Sequence, residues 1–166
     1  MNIILAGMPG CGKSTVSLIL GKKLNAQVAD TDVIIVSKYG DISKIFASHG
    51  EEYFRTLETE AVKYASSLNN AVISTGGGCL LKTENTLTLK KSGKIVYLET
   101  GISSLVSRTQ NDSSRPLLTG DKKERLKKLL SDRAPVYENA ADFVVRTDGK
   151  SPEEVAEEII KLVKEK

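Results

Sequence analysis

Short apolar runs alternate with amphipathic stretches along this 166-residue chain. Five runs have the length and composition of buried strands: Ile3 to Ala6, Gln27 to Asp30, Ala71 to Thr75, Lys94 to Glu99 and Phe143 to Arg146. Helical stretches fall between them. Thr15 to Leu24 follows the first run, and Asp32 to Tyr39 follows the second and stops at Gly40. Ser43 to His49 forms a short helix ended by Gly50. Glu51 to Ser67 places Phe54, Leu57, Ala61, Val62 and Ala65 on one helical face. Ser103 to Thr109 and Asp121 to Arg133 are also helical, separated by a polar loop from Asn111 to Gly120. The last helix has a capped start, with Ser151 as N-cap, Pro152 at the first position and Glu154 three residues after the cap.

Strands alternating with helices predict an α/β fold, a three-layer α/β/α arrangement around a five-stranded parallel sheet. Ligands in such sheets collect at the carboxyl ends of the strands. That rule brings together three segments, each of which follows a strand: Gly7 to Thr15, Asp30 to Asp32, and Gly76 to Gly78.

The first segment, Gly7-Met8-Pro9-Gly10-Cys11-Gly12-Lys13-Ser14-Thr15, has the P-loop spacing between a strand and a helix. Glycines let the backbone curl its N–H groups toward phosphate oxygens, and the helix start adds the positive end of its dipole. Lys13 then reaches the β- and γ-phosphates, and the Ser14 hydroxyl sits on Mg²⁺. The loop alone specifies a bound nucleoside triphosphate and leaves open what is done with it.

Composition narrows the partners. The net charge is only +3, the basic residues are scattered, and the chain has three Phe, five Tyr and no Trp for stacking on bases. Nucleic acid is therefore not an expected partner. No apolar run approaches a membrane span, and Met1 leads directly into the first strand, so cytoplasm is the expected compartment and no membrane partner is expected. Cys11 and Cys79 lack Cys-x-x-Cys spacing and are expected to be reduced, unpaired thiols. His49 has no ligand partner nearby in sequence and reads as a helix-end residue.

Asp30 and Asp32 are two apart, so on an extended chain both carboxylates face the phosphate pocket. One would hold Mg²⁺ through water, and the other would orient a substrate hydroxyl or accept its proton. The plainer alternative makes Asp32 the N-cap of the following helix. Arg55 and Glu58 are helix neighbours, an exposed ion pair or a carboxylate holding a guanidinium that grips an anionic substrate. Gly76-Gly77-Gly78 offers bare backbone for close approach of a ligand, or a tight turn. The loop carrying Arg115 is either a surface loop or a lid that closes over phosphates.

Taken in order, these segments resemble the shikimate kinases, in the nucleoside-monophosphate-kinase branch of P-loop proteins. The resemblance runs through Gly7 to Thr15, Asp30-Thr31-Asp32, Phe54-Arg55-Thr56-Leu57-Glu58, Val72 to Gly78, Arg115-Pro116-Leu117-Leu118 and Arg133-Ala134-Pro135-Val136-Tyr137. It covers essentially the whole chain and implies a single P-loop kinase domain over 1–166, with the P-loop NTPase fold, a substrate-binding region at 31–60 and a lid at 110–121. The implied activity is transfer of the γ-phosphoryl of ATP to the 3-hydroxyl of shikimate, with ADP as the other product. By the same resemblance Asp32 contacts the reacting hydroxyl, and Asp30 holds Mg²⁺ together with Ser14. Lys13 and Arg115 stabilise charge on the transferring phosphoryl. ATP lies on Gly10, Cys11, Gly12, Lys13, Ser14, Thr15, Arg108, Arg115 and Pro152. Arg55 and Arg133 clamp the shikimate carboxylate, Gly76, Gly77 and Gly78 line the ring, and Phe46 and Phe54 complete the pocket. A monomer is expected. Another small-metabolite kinase of this branch, such as gluconate kinase, and a catalytically silent ATP-binding module stand as alternatives.

Overall fold

The computed structural model describes residues 1–109 and 121–165. The Arg115 loop expected as a lid therefore lies, apart from Asp121, outside the described residues. Five strands form one parallel sheet: β1 Asn2–Ala6, β2 Gln27–Asp30, β3 Ala71–Ser74, β4 Gly93–Glu99 and β5 Phe143–Arg146. Their order across the sheet is β2-β3-β1-β4-β5. All five predicted strands are present.

Seven helices are described: α1 Lys13–Leu24, α2 Thr31–Tyr39, α3 Ile42–Ser67, α4 Thr83–Ser92, α5 Ile102–Thr109, α6 Lys122–Ala140 and α7 Pro152–Lys164. The step from β1 to β2 runs one way along the sheet and every later step runs the other. Right-handed crossovers then put α1 on one face and α3, α4 and α6 on the other. α7 returns to pack against α1. Strand β1 is buried along its whole length, as the centre of such a sandwich requires. No helix among the described residues is long and apolar enough to cross a membrane.

The two helices expected on either side of Gly50 are both present, the run α3 being broken at Gly50, whose φ of 82° departs from helical geometry. Two other stretches differ from the sequence reading. Helix α6 continues past Arg133 and through Pro135 to Ala140. Proline removes one helical hydrogen bond, but Arg133, Tyr137 and Ala140 are all buried on one face and hold the helix together. The stretch after the glycines makes a 3₁₀ turn over Cys79–Leu81 and then α4, neither of which the sequence reading contained. Helix α4 buries only Asn85 and Leu89, so its apolar signal is one residue wide.

Leu5 pairs with Ser74, and Ser74 pairs with Asp30. The carboxyl ends of β1, β3 and β2 are therefore level. Asn2 ties the other end of this unit. Its amide donates to the Leu68 carbonyl at 2.8 Å and accepts from the Ala71 N–H at 2.9 Å, fixing where β3 begins beside β1. A second, smaller core of Ile35, Ile45, Phe54, Leu57 and Ala61 joins α2 to α3 beyond the sheet.

Gly93 opens β4 against β1, where a Cβ would lie 2.0 Å from the Asn2 carbonyl oxygen. Backbone on both sides of that contact cannot yield as a side chain would. Gly93→Ala is expected to destabilise the protein by about 3 kcal/mol, measured by urea denaturation.

Candidate active site

The level strand ends deliver three segments to one place. From β1 comes the P-loop. Gly10 and Gly12 have φ of 83° and 98°, values that a side chain rarely tolerates, and these set the curl. Helix α1 starts at Lys13 with no side-chain cap. Its first N–H groups are donors awaiting an acceptor, the arrangement that binds phosphate. Lys13 is buried and lies back across the loop, its Nζ donating to the Gly7 and Met8 carbonyls at 2.8 and 2.9 Å. Cys11 is buried beneath the loop, its Sγ 3.6 Å from Lys13 Nζ and its N–H donating to Met8 at 3.2 Å. Ser14 and Thr15 are exposed on the first turn of α1.

Arg108, near the end of α5, donates from Nη1 to the Gly10 carbonyl at 3.5 Å and so lies over the loop. Pro152 opens α7 behind the Ser151 cap, as expected. The connection before it is fastened to the start of α5 by Asp148, which accepts from Ser104 Oγ at 2.7 Å and the Gly101 N–H at 2.8 Å. Those two bonds hold the Asp148 carboxyl below its ordinary range.

Strand β2 ends in Asp30, which is the N-cap of α2. Its Oδ1 accepts from the N–H groups of Asp32 and Val33 at 2.9 and 3.2 Å, while its Oδ2 accepts from Ser14 Oγ at 3.1 Å. The cap is thus Asp30 and not Asp32. Asp32 sits in the first turn of α2, so its direction comes from the helix and not from strand alternation. Even so, both carboxylates reach the site. Ser14 and Asp30 present two hard oxygen donors side by side at the mouth of the P-loop, which suits Mg²⁺. Among the described residues no group of three or more His, Cys, Asp or Glu gathers elsewhere into a metal cage.

Strand β3 leads into the three glycines, and each gives room to a different neighbour. A Cβ on Gly76 would lie 2.8 Å from Asp32 Oδ1 and 2.9 Å from Glu58 Oε2. On Gly77 it would meet Pro9 Cδ at 2.9 Å and Arg133 Nη1 at 3.2 Å. On Gly78 it would overlap the Arg55 guanidinium, 2.5 Å from Nη1. The turn is close to Asp32, Arg55 and Arg133 at once, as the sequence reading expected. Thr31 fixes one end of it, its buried hydroxyl accepting from the Gly76 N–H at 2.9 Å.

Arg55 donates to Glu58 at 2.9 Å and to Glu51 at 3.1 Å. This is not the exposed surface pair that spacing alone favoured, because Glu58 is 1 % exposed. Burial drives the Glu58 carboxyl above its ordinary range. Arg55 pulls it back in part, Asp32 pushes it up further, and Arg133 draws it down. Burial also works against the charge of Arg55, but Glu58 and Glu51 more than offset this and raise its pKa. The Arg55 guanidinium lies 5.3 Å from the Phe54 ring centroid, and Phe54 packs on Phe46 at 4.9 Å. Arg133 is itself buried.

Two participants went unassigned by residue type. Thr31 was visible only as the middle of Asp30-Thr31-Asp32, and Tyr137 only as the end of the Arg133 segment. Both act by hydrogen bonds to glycine backbone, which leave no periodic or charge signal in sequence. Cys79 is a buried free thiol just past the glycines, pushed well up by burial, and Cys11 is also free.

A family model described as shikimate kinase matches residues 9–164. A shikimate kinase of Caldicellulosiruptor bescii is 42% identical over 97% of this chain and 94% of its own length. One from Thermodesulfovibrio yellowstonii is 43% identical over 96% of this chain and 93% of its own. Among solved structures, shikimate kinase from Acinetobacter baumannii in complex with shikimate aligns with a TM-score of 0.96 at 35% identity, covering 99% of this chain and 93% of that one.

The raised Glu58 carboxyl has a consequence for stability. A carboxyl whose folded pKa exceeds its unfolded value contributes stability below the unfolded value and loses it as pH rises through the folded one. Gln cannot ionise, so Glu58→Gln is expected to gain stability relative to the unaltered protein between pH 4.5 and 7.5. Urea denaturation at the two pH values checks this. A relative loss would mean that Arg55 outweighs burial.

Proposed function

The chain belongs to the shikimate kinase family, and we propose that it carries out that family's reaction, moving the γ-phosphoryl group of ATP to the 3-hydroxyl of shikimate to give shikimate 3-phosphate and ADP. The observation that carries this reading is the triple-glycine turn, which stands between the P-loop and two arginines, Arg133 buried and Arg55 half-buried. A phosphate-binding loop faces bare backbone, a carboxylate and paired guanidinium groups, which together suit a small hydroxylated anion. The family match sets the gluconate kinase alternative aside.

Phosphoryl transfer asks the protein mainly for positioning and charge stabilisation. The N–H groups from Gly10 to Thr15, with the start of α1, take the phosphates, and Arg108 and Pro152 flank the base. Lys13 leaves the Gly7 and Met8 carbonyls and turns its ammonium to the transferring group. Arg115 supplies a second positive charge there. Ser14 and Asp30 would hold Mg²⁺, which would supply charge neutralisation on the nucleotide. Arg55 and Arg133 hold the shikimate carboxylate, because planar guanidinium groups match a carboxylate's two oxygens. Glu58 keeps Arg55 in place while the site is empty. Gly77 and Gly78 present backbone to the ring, and Phe46 and Phe54 form the apolar wall. Asp32 orients the 3-hydroxyl and takes its proton as the new P–O bond forms. The reading treats 1–166 as one kinase domain, monomeric and cytoplasmic, with 31–60 as the shikimate region and 110–121 as the lid.

Purified protein with Mg-ATP is expected to release ADP in a shikimate-dependent way, with shikimate 3-phosphate as product. A folded, ATP-binding protein that shikimate does not stimulate would reject the substrate. Asp32→Asn is expected to lower kcat by roughly 10²–10⁴-fold and to leave the Kd for ATP nearly unchanged. Equal loss of both would assign Asp32 to the fold or the metal instead.

A further inference from the structure

Tyr137 is 1 % exposed, in the last turn of α6, one turn beyond Arg133. Its ring packs on Tyr97 with centroids 5.1 Å apart, and its hydroxyl donates to the Gly77 carbonyl. A buried phenol usually finds one such partner. What matters is which peptide this one holds.

A trans peptide is planar, so its C=O and the following N–H point in opposite directions. No cis peptide bond is present among the described residues. The Gly77 carbonyl and the Gly78 N–H belong to the same peptide. By drawing the carbonyl toward α6, Tyr137 aims the Gly78 N–H away from α6. The neighbouring peptides are fixed by other means. Thr31 accepts from the Gly76 N–H, and the Gly76 carbonyl accepts from the Cys79 N–H at 3.0 Å. Two consecutive glycines have wide conformational freedom, and the plane of the Gly77–Gly78 peptide depends on the Tyr137 hydroxyl.

Arg133 stands one turn before Tyr137 on the same face of α6, and both are buried. The Arg133 guanidinium also lies at the Gly77 backbone, 3.2 Å from where a Cβ would stand. Arg133 and the Tyr137 hydroxyl thus approach the same Gly77 backbone from one face of α6.

We propose that Tyr137 is a positioning residue for substrate recognition, setting the direction of the Gly78 N–H beside Arg133, so that backbone and guanidinium meet one small hydroxylated anion in a fixed relation. This rests on the assignment of the glycine turn and Arg133 to the shikimate site. Tyr137 touches the groups that bind and not the reacting atoms.

Tyr137→Phe keeps the ring and its packing and removes only the hydroxyl. Titration calorimetry on the full chain is expected to give a Kd for shikimate raised on the order of tenfold, with the Kd for ADP unchanged. The KM for shikimate should rise by a similar factor while kcat falls less than threefold. A structural role alone would lower the melting temperature and leave the two affinities in their original ratio. That result, with wild-type protein binding shikimate normally, would overturn the proposal and leave the kinase assignment intact. Wild-type protein that binds ADP but not shikimate would overturn both. A measurement on wild-type protein covers a variant that does not fold. The Gly78 amide proton resonance is expected to move on addition of shikimate, and an unmoved Gly78 amide alongside shifted neighbours would overturn the proposal.

Discussion

Leu5, Ser74 and Asp30 lie in one row across β1, β3 and β2. A slip of one residue in either pairing would turn every side chain of a strand to the opposite face. It would also move one of three loops by a residue's length, about 3.3 Å. The P-loop, the Asp30 cap and the glycine turn can then no longer meet. The register is held by buried aliphatic residues on both faces, with Ile4 beside Ile73 and Ile95, and by the Asn2 amide clasping the entry to β3. The geometry of the site is thus decided in the apolar core before any polar residue takes part.

Upon that frame the site is a problem of buried charge. Glu58 and Arg133 lie where water has little access, with the half-buried Arg55 and Asp32 beside them. An unpaired ion there would cost several kcal/mol. Arg55 is paired with Glu58 and Glu51, and burial still pushes the Glu58 carboxyl up. The cluster is therefore only partly neutralised by its own members.

Much of this was legible in the chain. The five strands stand where short apolar runs placed them, because a parallel sheet buried on both faces leaves uninterrupted apolar segments. The P-loop, Asp30 and the glycines were visible because their chemistry requires particular residue types at fixed spacing. Asp32 takes its direction from a helix and not from strand alternation, because the chain turns helical at Thr31 and Asp30 becomes its cap. The Arg55–Glu58 pair looked like a surface pair because spacing reports neighbours and not depth. Helix α4 was missed since Asn85 and Leu89 alone are buried on it, and Asn85 is polar. The run of α6 through Pro135 was missed because tertiary anchoring at Tyr137 and Ala140 overrides the local penalty of proline.

The glycines show why such residues are read more safely as a set. Any one of them would pass as a turn residue, and none of the three has a positive φ. Their smallness serves proximity. Gly76 admits Asp32 and Glu58, Gly77 admits Pro9 and Arg133, and Gly78 admits the Arg55 guanidinium. Each missing Cβ lets a different functional group approach the same short backbone segment. Elements from three parts of the chain, α2, α3 and α6, thereby close on one turn. An alanine at any of the three would displace a different partner, so the loss of activity should differ in kind from one position to the next. At Gly78 it would fall on Arg55, at Gly77 on Arg133 and the P-loop proline, and at Gly76 on the Asp32 and Glu58 carboxylates.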